Sequence, residues 1–326
     1  MKRLLAVLSK NCNYIYHMLS VSNCGYDNDY GKKYRPFHNK ADLSVLNGRK
    51  NHITVSGGER CGELYGICVS LPASLDDGIS LPDYFNALTN LYEDGDLEQN
   101  LKKYESIYRL AFSSSGINIS IDPLKNFYDS FVSMKNEIID ITKIMSDNYA
   151  VYTDNIWDET KNELLPAVNG LNNQLSEVNY TTEWEKALNA QYKYENFYAL
   201  ICNSVQNGPQ CIDISYDKDV FCADADYISA VKLISHEFGI YLLKDILPDT
   251  PLFENNVYYK AFESLAEYFN IIISGGHAAW NWYSEYLDFY KELKLNEPRI
   301  TTKDMFLRAI RHFNIWKNNK ILFLER

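Results

Sequence analysis

The chain has 326 residues, 46% of them apolar and 23% charged, with a formal net charge of −11. That suffices for one large domain or two smaller ones with a substantial core. No Lys/Arg run exceeds a pair, so a surface built to displace counterions from nucleic acid or an anionic membrane is not expected.

The start, Met1-Lys2-Arg3 followed by Leu4-Leu5-Ala6-Val7-Leu8, opens like a secretory leader, but its five apolar residues are too few for a leader's hydrophobic region. Residues 3–20 are expected to form a helix, with Leu4, Leu5, Leu8, Ile15, Met18 and Leu19 as apolar positions. The polar stretch after Cys24 contains Asp27-Asn28-Asp29, which begins like a calcium loop. Its glycine and distal glutamate are out of register, so it reads as a plain turn. Gly57-Gly58 has no strand–helix context for holding phosphate.

Residues 63–71 fit either a helix or a strand, ended by Pro72. Helices are expected over 81–92 and 97–112, the first capped by Ser80 ahead of Pro82. Ser113–Gly116 breaks the pattern, and the alternation at 117–121 suggests a short strand. A long helix is expected from Pro123 to about residue 149, striped by Leu124, Phe127, Phe131, Met134, Ile138, Ile141 and Met145. Another follows over 154–165, ended by Pro166, and residues 184–205 look helical and aromatic. Residues 211–214 and 219–221 read as two strands around a turn.

Seven cysteines are present, with no C-x-x-C, which argues against a zinc ribbon or a thioredoxin motif. Pairing among Cys202, Cys211 and Cys222 is one option. Buried free thiols in a reducing compartment are the preferred one, with a cytoplasmic location. No apolar run is long enough to span a membrane.

The chemically informative stretch lies between residues 223 and 276. Asp224 or Asp226 can cap a helix whose apolar stripe is Val231, Ile234, Phe238, Leu242 and Ile246. Lys244 suits its last turn, and Pro248 ends it. In mid-helix stand His236 and Glu237, followed by Phe238, Gly239 and Ile240. Two His four residues apart on a helix can share a metal ion, and the Glu between them can take a proton from bound water. Here the second position is Ile240. About two dozen residues later comes Glu263-Ser264-Leu265-Ala266-Glu267-Tyr268-Phe269.

Over these fifty or so residues the chain resembles the gluzincins, zincin-type zinc metallopeptidases whose third ligand is a Glu on a second helix. More loosely, its layout is similar to that of an uncharacterised bacterial family with such a helix late in the chain. The resemblance implies His236 as first ligand, Glu237 as catalytic base, Glu263 as third ligand and Glu267 as a reserve ligand, with Ile240 in the second His position. His277 reads either as a substitute ligand or, the preferred option, as a loop residue after Gly275-Gly276. Tyr258, Tyr259 or His312 would steady the oxyanion. The implied fold is α+β, predominantly helical, with a small sheet preceding the HExx helix. A helical N-terminal region over 1–120 would be followed by a zincin-like region over 121–326, as two domains or as one continuous domain.

Three functions follow. The preferred one is a catalytically impaired or inactive zincin homologue without zinc, whose cleft binds a peptide or a protein partner. The alternatives are an active zinc peptidase with a non-standard ligand set and a helical interaction protein unrelated to peptidases. The distance from the His236 ring to Glu263 and Glu267 separates the first two from the third.

Overall fold

A computed structural model describes residues 2–56, 60–93, 97–103, 105–106, 128–205, 210–211, 217–223, 226–247, 256–276 and 283–324. The chain opens with β1 (Arg3–Val7), α1 (Lys10–Val21), α2 (Asp29–Tyr34), α3 (Lys40–Gly48) and α4 (Lys50–Ile53). A small antiparallel pair, β2 (Val55–Ser56) with β3 (Arg60–Cys61), precedes α5 (Leu71–Ser74), α6 (Leu81–Glu93) and α7 (Leu97–Lys103). Then come α8 (Lys135–Asp147), α9 (Tyr149–Asn155), α10 (Trp157–Leu175) and α11 (Tyr180–Leu188). Strands β4 (Asn196–Cys202), β5 (Gln210–Cys211) and β6 (Lys218–Cys222) lead to α12 (Tyr227–Ile246), α13 (Asn256–Ile273), α14 (Ser284–Asn296) and α15 (Thr302–Leu324). The fold is α+β and predominantly helical.

The main sheet has the order β1-β4-β6-β5, with β4 parallel to β6 and β5 antiparallel to it. Central strand β6 is buried from Lys218 to Phe221, as a strand covered on both faces must be. Its lysine is accommodated by hydrogen bonds from Nζ to the Ser74 carbonyl at 2.8 Å and to Asp76 at 3.2 Å. Cys202 and Cys222 stand opposite each other in the β4–β6 register. Among the described residues Cys12, Cys24, Cys68, Cys202 and Cys222 are free thiols.

The contacts divide the chain into two compact units, each assembled from separated stretches. One comprises Ala6–Gly170 and Tyr198–Ala225, the other Met1–Leu5, Leu171–Phe197 and Asp226–Arg326. The boundary expected at residue 120 lies outside the described residues, as do the strand expected at 117–121, the start of the helix after Pro123, and His277.

In the first unit α1 is the centre, buried from Asn11 to Val21 on every side. Polar side chains in such a helix must find partners. Asn11 donates to the Asp76 and Ile79 carbonyls, and Asn13 donates to the Ser9 and Ile201 carbonyls. Asn28, in the stretch that resembled a calcium loop, caps α2 by accepting from the Gly31 amide. In the second unit α12 packs on α13, and α13 packs on α14 and α15.

Three expectations on local structure are corrected. Residues 3–7 form a strand with Leu4 and Ala6 buried alternately, and the helix begins only at Lys10. The stretch expected as one helix over 184–205 is instead the end of α11, then β4. Asn189 adopts a left-handed φ of +50° and ends the helix. Pro166 does not end α10, which runs through it. The lost hydrogen bond is offset by burial of Leu164, Val168, Leu171 and Leu175 along one stripe. The cap at Ser80 was read correctly, since it accepts from the Asp83 amide; Thr301 caps the last helix in the same way, accepting from the Asp304 amide.

Candidate functional site

The site is built on α12 and α13. Asp226 starts α12 by accepting from the amides of Ile228 and Ser229, both at 3.2 Å. The helix then buries Val231, Ile234, Phe238 and Leu242, as its stripe requires. Phe238 meets the rings of Tyr192 and Phe197. Gly239 is there for space. A Cβ on it would lie 2.2 Å from the Trp184 ring of α11, whose indole N–H donates to Ser235 at 2.9 Å. The glycine of the His-Glu-Phe-Gly-Ile run therefore serves helix–helix packing.

This packing brings His236 against α13, where Glu263 and Glu267 are one turn apart and share a face. His236 Nε2 lies 3.1 Å from Glu263 Oε2, and Nδ1 lies 2.8 Å from Glu267 Oε2. The ring is thus held by a carboxylate at each nitrogen. The His236 side chain is 1% exposed, Glu267 3% and Glu263 25%. Asn270 secures the inner end, donating to the Lys232 carbonyl and, at 3.4 Å, to Glu267.

Two ring N–H donors facing two carboxylates describe an imidazolium. Burial alone would lower the His236 pKa, but the bonds to Glu263 and Glu267 more than reverse this and raise it to about 10. Glu237 retains a part-exposed surface although protein encloses it on most sides. That enclosure raises its pKa to about 7, against the opposing pull of His236 and with added repulsion from Glu263. Tyr259 lies beside Glu263; burial raises its hydroxyl pKa and the nearby carboxylate raises it further. Its ring meets Tyr283 edge-on at 6.3 Å.

No family model, curated protein or solved structure matches this chain. The site is therefore judged on its geometry.

A zinc site needs three or four protein ligands around one point. His236 Nε2 and Glu263 Oε2 are two donors facing each other. Glu267, expected as a reserve ligand, holds the opposite nitrogen and so cannot reach the same ion. Ile240 at the second His position is buried hydrocarbon, 7% exposed. Among the described residues no group of three His, Cys, Asp or Glu is arranged to hold a metal. The described residues do not present the convergent donors of a zinc site.

Of the three residues considered for an oxyanion, only Tyr259 adjoins the cluster. Tyr258 faces Phe306 on α15, and His312 is exposed and stacked on Phe289 at 4.8 Å. Sequence reasoning missed Trp184 and Asn270, which position the helix and the inner carboxylate. The spacing Glu263-Glu267-Asn270 along one helix face was the available signal for the latter. It also missed a second buried histidine cluster, in the other unit, described below.

Proposed function

We propose that this chain is a metallopeptidase-like protein, a catalytically inactive zincin homologue whose ion is replaced by a proton. The His236 imidazolium, clamped between Glu263 and Glu267, supplies the positive charge that would otherwise come from a metal. Beside it the part-exposed Glu237, Tyr259 and Tyr283 would meet a peptide or protein partner.

The observation that carries this reading is the engagement of both His236 nitrogens by carboxylates 2.8 and 3.1 Å away. A side chain committed at both ends has no lone pair for a metal, and deprotonating it would leave the buried Glu267 carboxylate without its counter-charge. The buried Ile240 at the missing ligand position supports the same reading, as does the lack of a third donor among the described residues.

Zinc titration of the full chain and its Ile240→His variant tests the proposal. The wild type is expected to take up no stoichiometric zinc at neutral pH. Ile240→His restores two imidazoles four residues apart and is expected to bind zinc with release of a proton from His236. Stoichiometric zinc in the wild type, lost in His236→Ala, refutes the inactive reading. No gain in Ile240→His refutes the zincin ancestry itself.

A further inference from the structure

The second histidine cluster lies in the unit built around α1 and plays no part in the site above. His17 of α1 is fully buried and His38, just after α2, is 6% exposed. Their Nε2 atoms lie 2.8 Å apart. His17 Nδ1 is 2.9 Å from the Tyr30 hydroxyl of α2, and His38 Nδ1 is 2.9 Å from Asn148 Oδ1, between α8 and α9. Asn148 Nδ2 donates to the Ile144 carbonyl at 3.0 Å and to Asp42 of α3 at 3.2 Å.

These contacts assign every proton. The two bonds donated by Asn148 Nδ2 turn its oxygen towards His38, so His38 Nδ1 carries the hydrogen. A neutral His38 then offers a lone pair at Nε2, which must be met by N–H from His17 Nε2. A neutral His17 in turn accepts at Nδ1 from Tyr30. Three consecutive bonds are satisfied with both rings neutral. One added proton can be absorbed only by reversing the Tyr30 hydroxyl and burying a cation. A second would set two N–H donors face to face at 2.8 Å, which the closed arrangement cannot hold.

We propose that the His17–His38 pair is an acid-released latch that fastens the 29–38 segment, containing α2, onto α1. The neighbouring groups leave the two histidines as its titrating element near neutral pH. Tyr30 and Tyr34 of α2 and Tyr152 of α9 pack around the pair. Their hydroxyls are pushed up by burial and stay neutral. Cys202 of β4, nearest Tyr30 and Tyr152, is likewise pushed up by burial. Among the described residues Asp42 is the carboxylate acting on the pair, favouring a proton on His38, while burial disfavours it more. Burial and the adjacent His38 disfavour a proton on His17. Away from the latch, Asn28 still donates to the Ser204 carbonyl and Lys33 still bridges to Glu159 and Glu163. Acid is thus expected to loosen this segment before it unfolds the unit.

Hydrogen exchange on the full-length protein, corrected for the intrinsic pH dependence of exchange, tests this. The open form binds two protons that the closed form resists, each with a pKa near the unperturbed histidine value of about 6.5. Opening of residues 29–38 should therefore rise by up to about 1000-fold between pH 7.5 and 5.0, the limit in which the closed form takes up neither proton. In His38→Gln, whose amide oxygen can still accept from His17, the rise should shrink to about 30-fold. Helix α6 of the same unit should change far less. Flat protection of 29–38, an equal loss in α6, or an undiminished rise in His38→Gln would overturn the latch. Should that variant fail to fold, imidazole nitrogen shifts of the wild type decide. Hydrogen on His17 Nε2 and His38 Nδ1, with both rings titrating below free histidine, supports the proposal. The opposite tautomers, or His17 titrating at or above the free value, refutes it.

Discussion

Replacing Glu267 by Gln removes one negative charge from the clamp and little else. The amide oxygen can still accept from His236 Nδ1 at the present 2.8 Å, so shape and hydrogen bonding are nearly kept. What is lost is half of the counter-charge for an imidazolium that is 1% exposed. Removing one partner of a buried ion pair costs ~3–5 kcal/mol, and the retained hydrogen bond places Glu267→Gln near ~3 kcal/mol. The variant should also shift the pH dependence. His236 is raised to about 10 when folded, above its ordinary value of 6.5. Its contribution to stability is therefore complete below pH 6.5 and is lost as pH climbs towards 10. With one carboxylate gone the folded pKa falls, so the loss finishes at lower pH. The assay is urea unfolding at pH 7, read by hydrogen exchange in α12 so that the second unit alone is scored. A cost below ~1 kcal/mol, the range of exposed ion pairs, would show that the clamp carries no buried charge and would refute the reasoning.

Other outcomes follow from the same geometry. Between pH 7 and 8 the wild type should lose about 1 kcal/mol of stability that His236→Gln does not lose, one proton's worth of linkage, measured as the difference between their unfolding curves. Gly239→Ala places a methyl 2.2 Å from the rigid Trp184 ring and should cost ~1–3 kcal/mol by overpacking, seen as a lower midpoint for α12. Trp184→Phe removes the bond to Ser235 and some packing, and should destabilise by ~1–3 kcal/mol. Combined with Gly239→Ala it should cost less than the sum, because the clash is relieved.

The sequence alone marked the starts of two helices, because a cap is a local arrangement: Asp226 and Ser80 each bond amides two or three residues away. The resemblance to the gluzincins also pointed to His236 and Glu263, whose side chains lie 3.1 Å apart. Tertiary structure alone decided that residues 3–7 and 196–202 are strands, because a short apolar run suits either period until neighbouring strands supply its hydrogen bonds. It alone assigned Glu267 to the far nitrogen of His236, a choice that depends on the rotation of α13 about its axis. It alone joined His17, the Tyr30–His38 segment and Asn148, three stretches with no common pattern. A buried polar chain is specified by the directions of its donors and acceptors in space, and those directions have no period along the sequence.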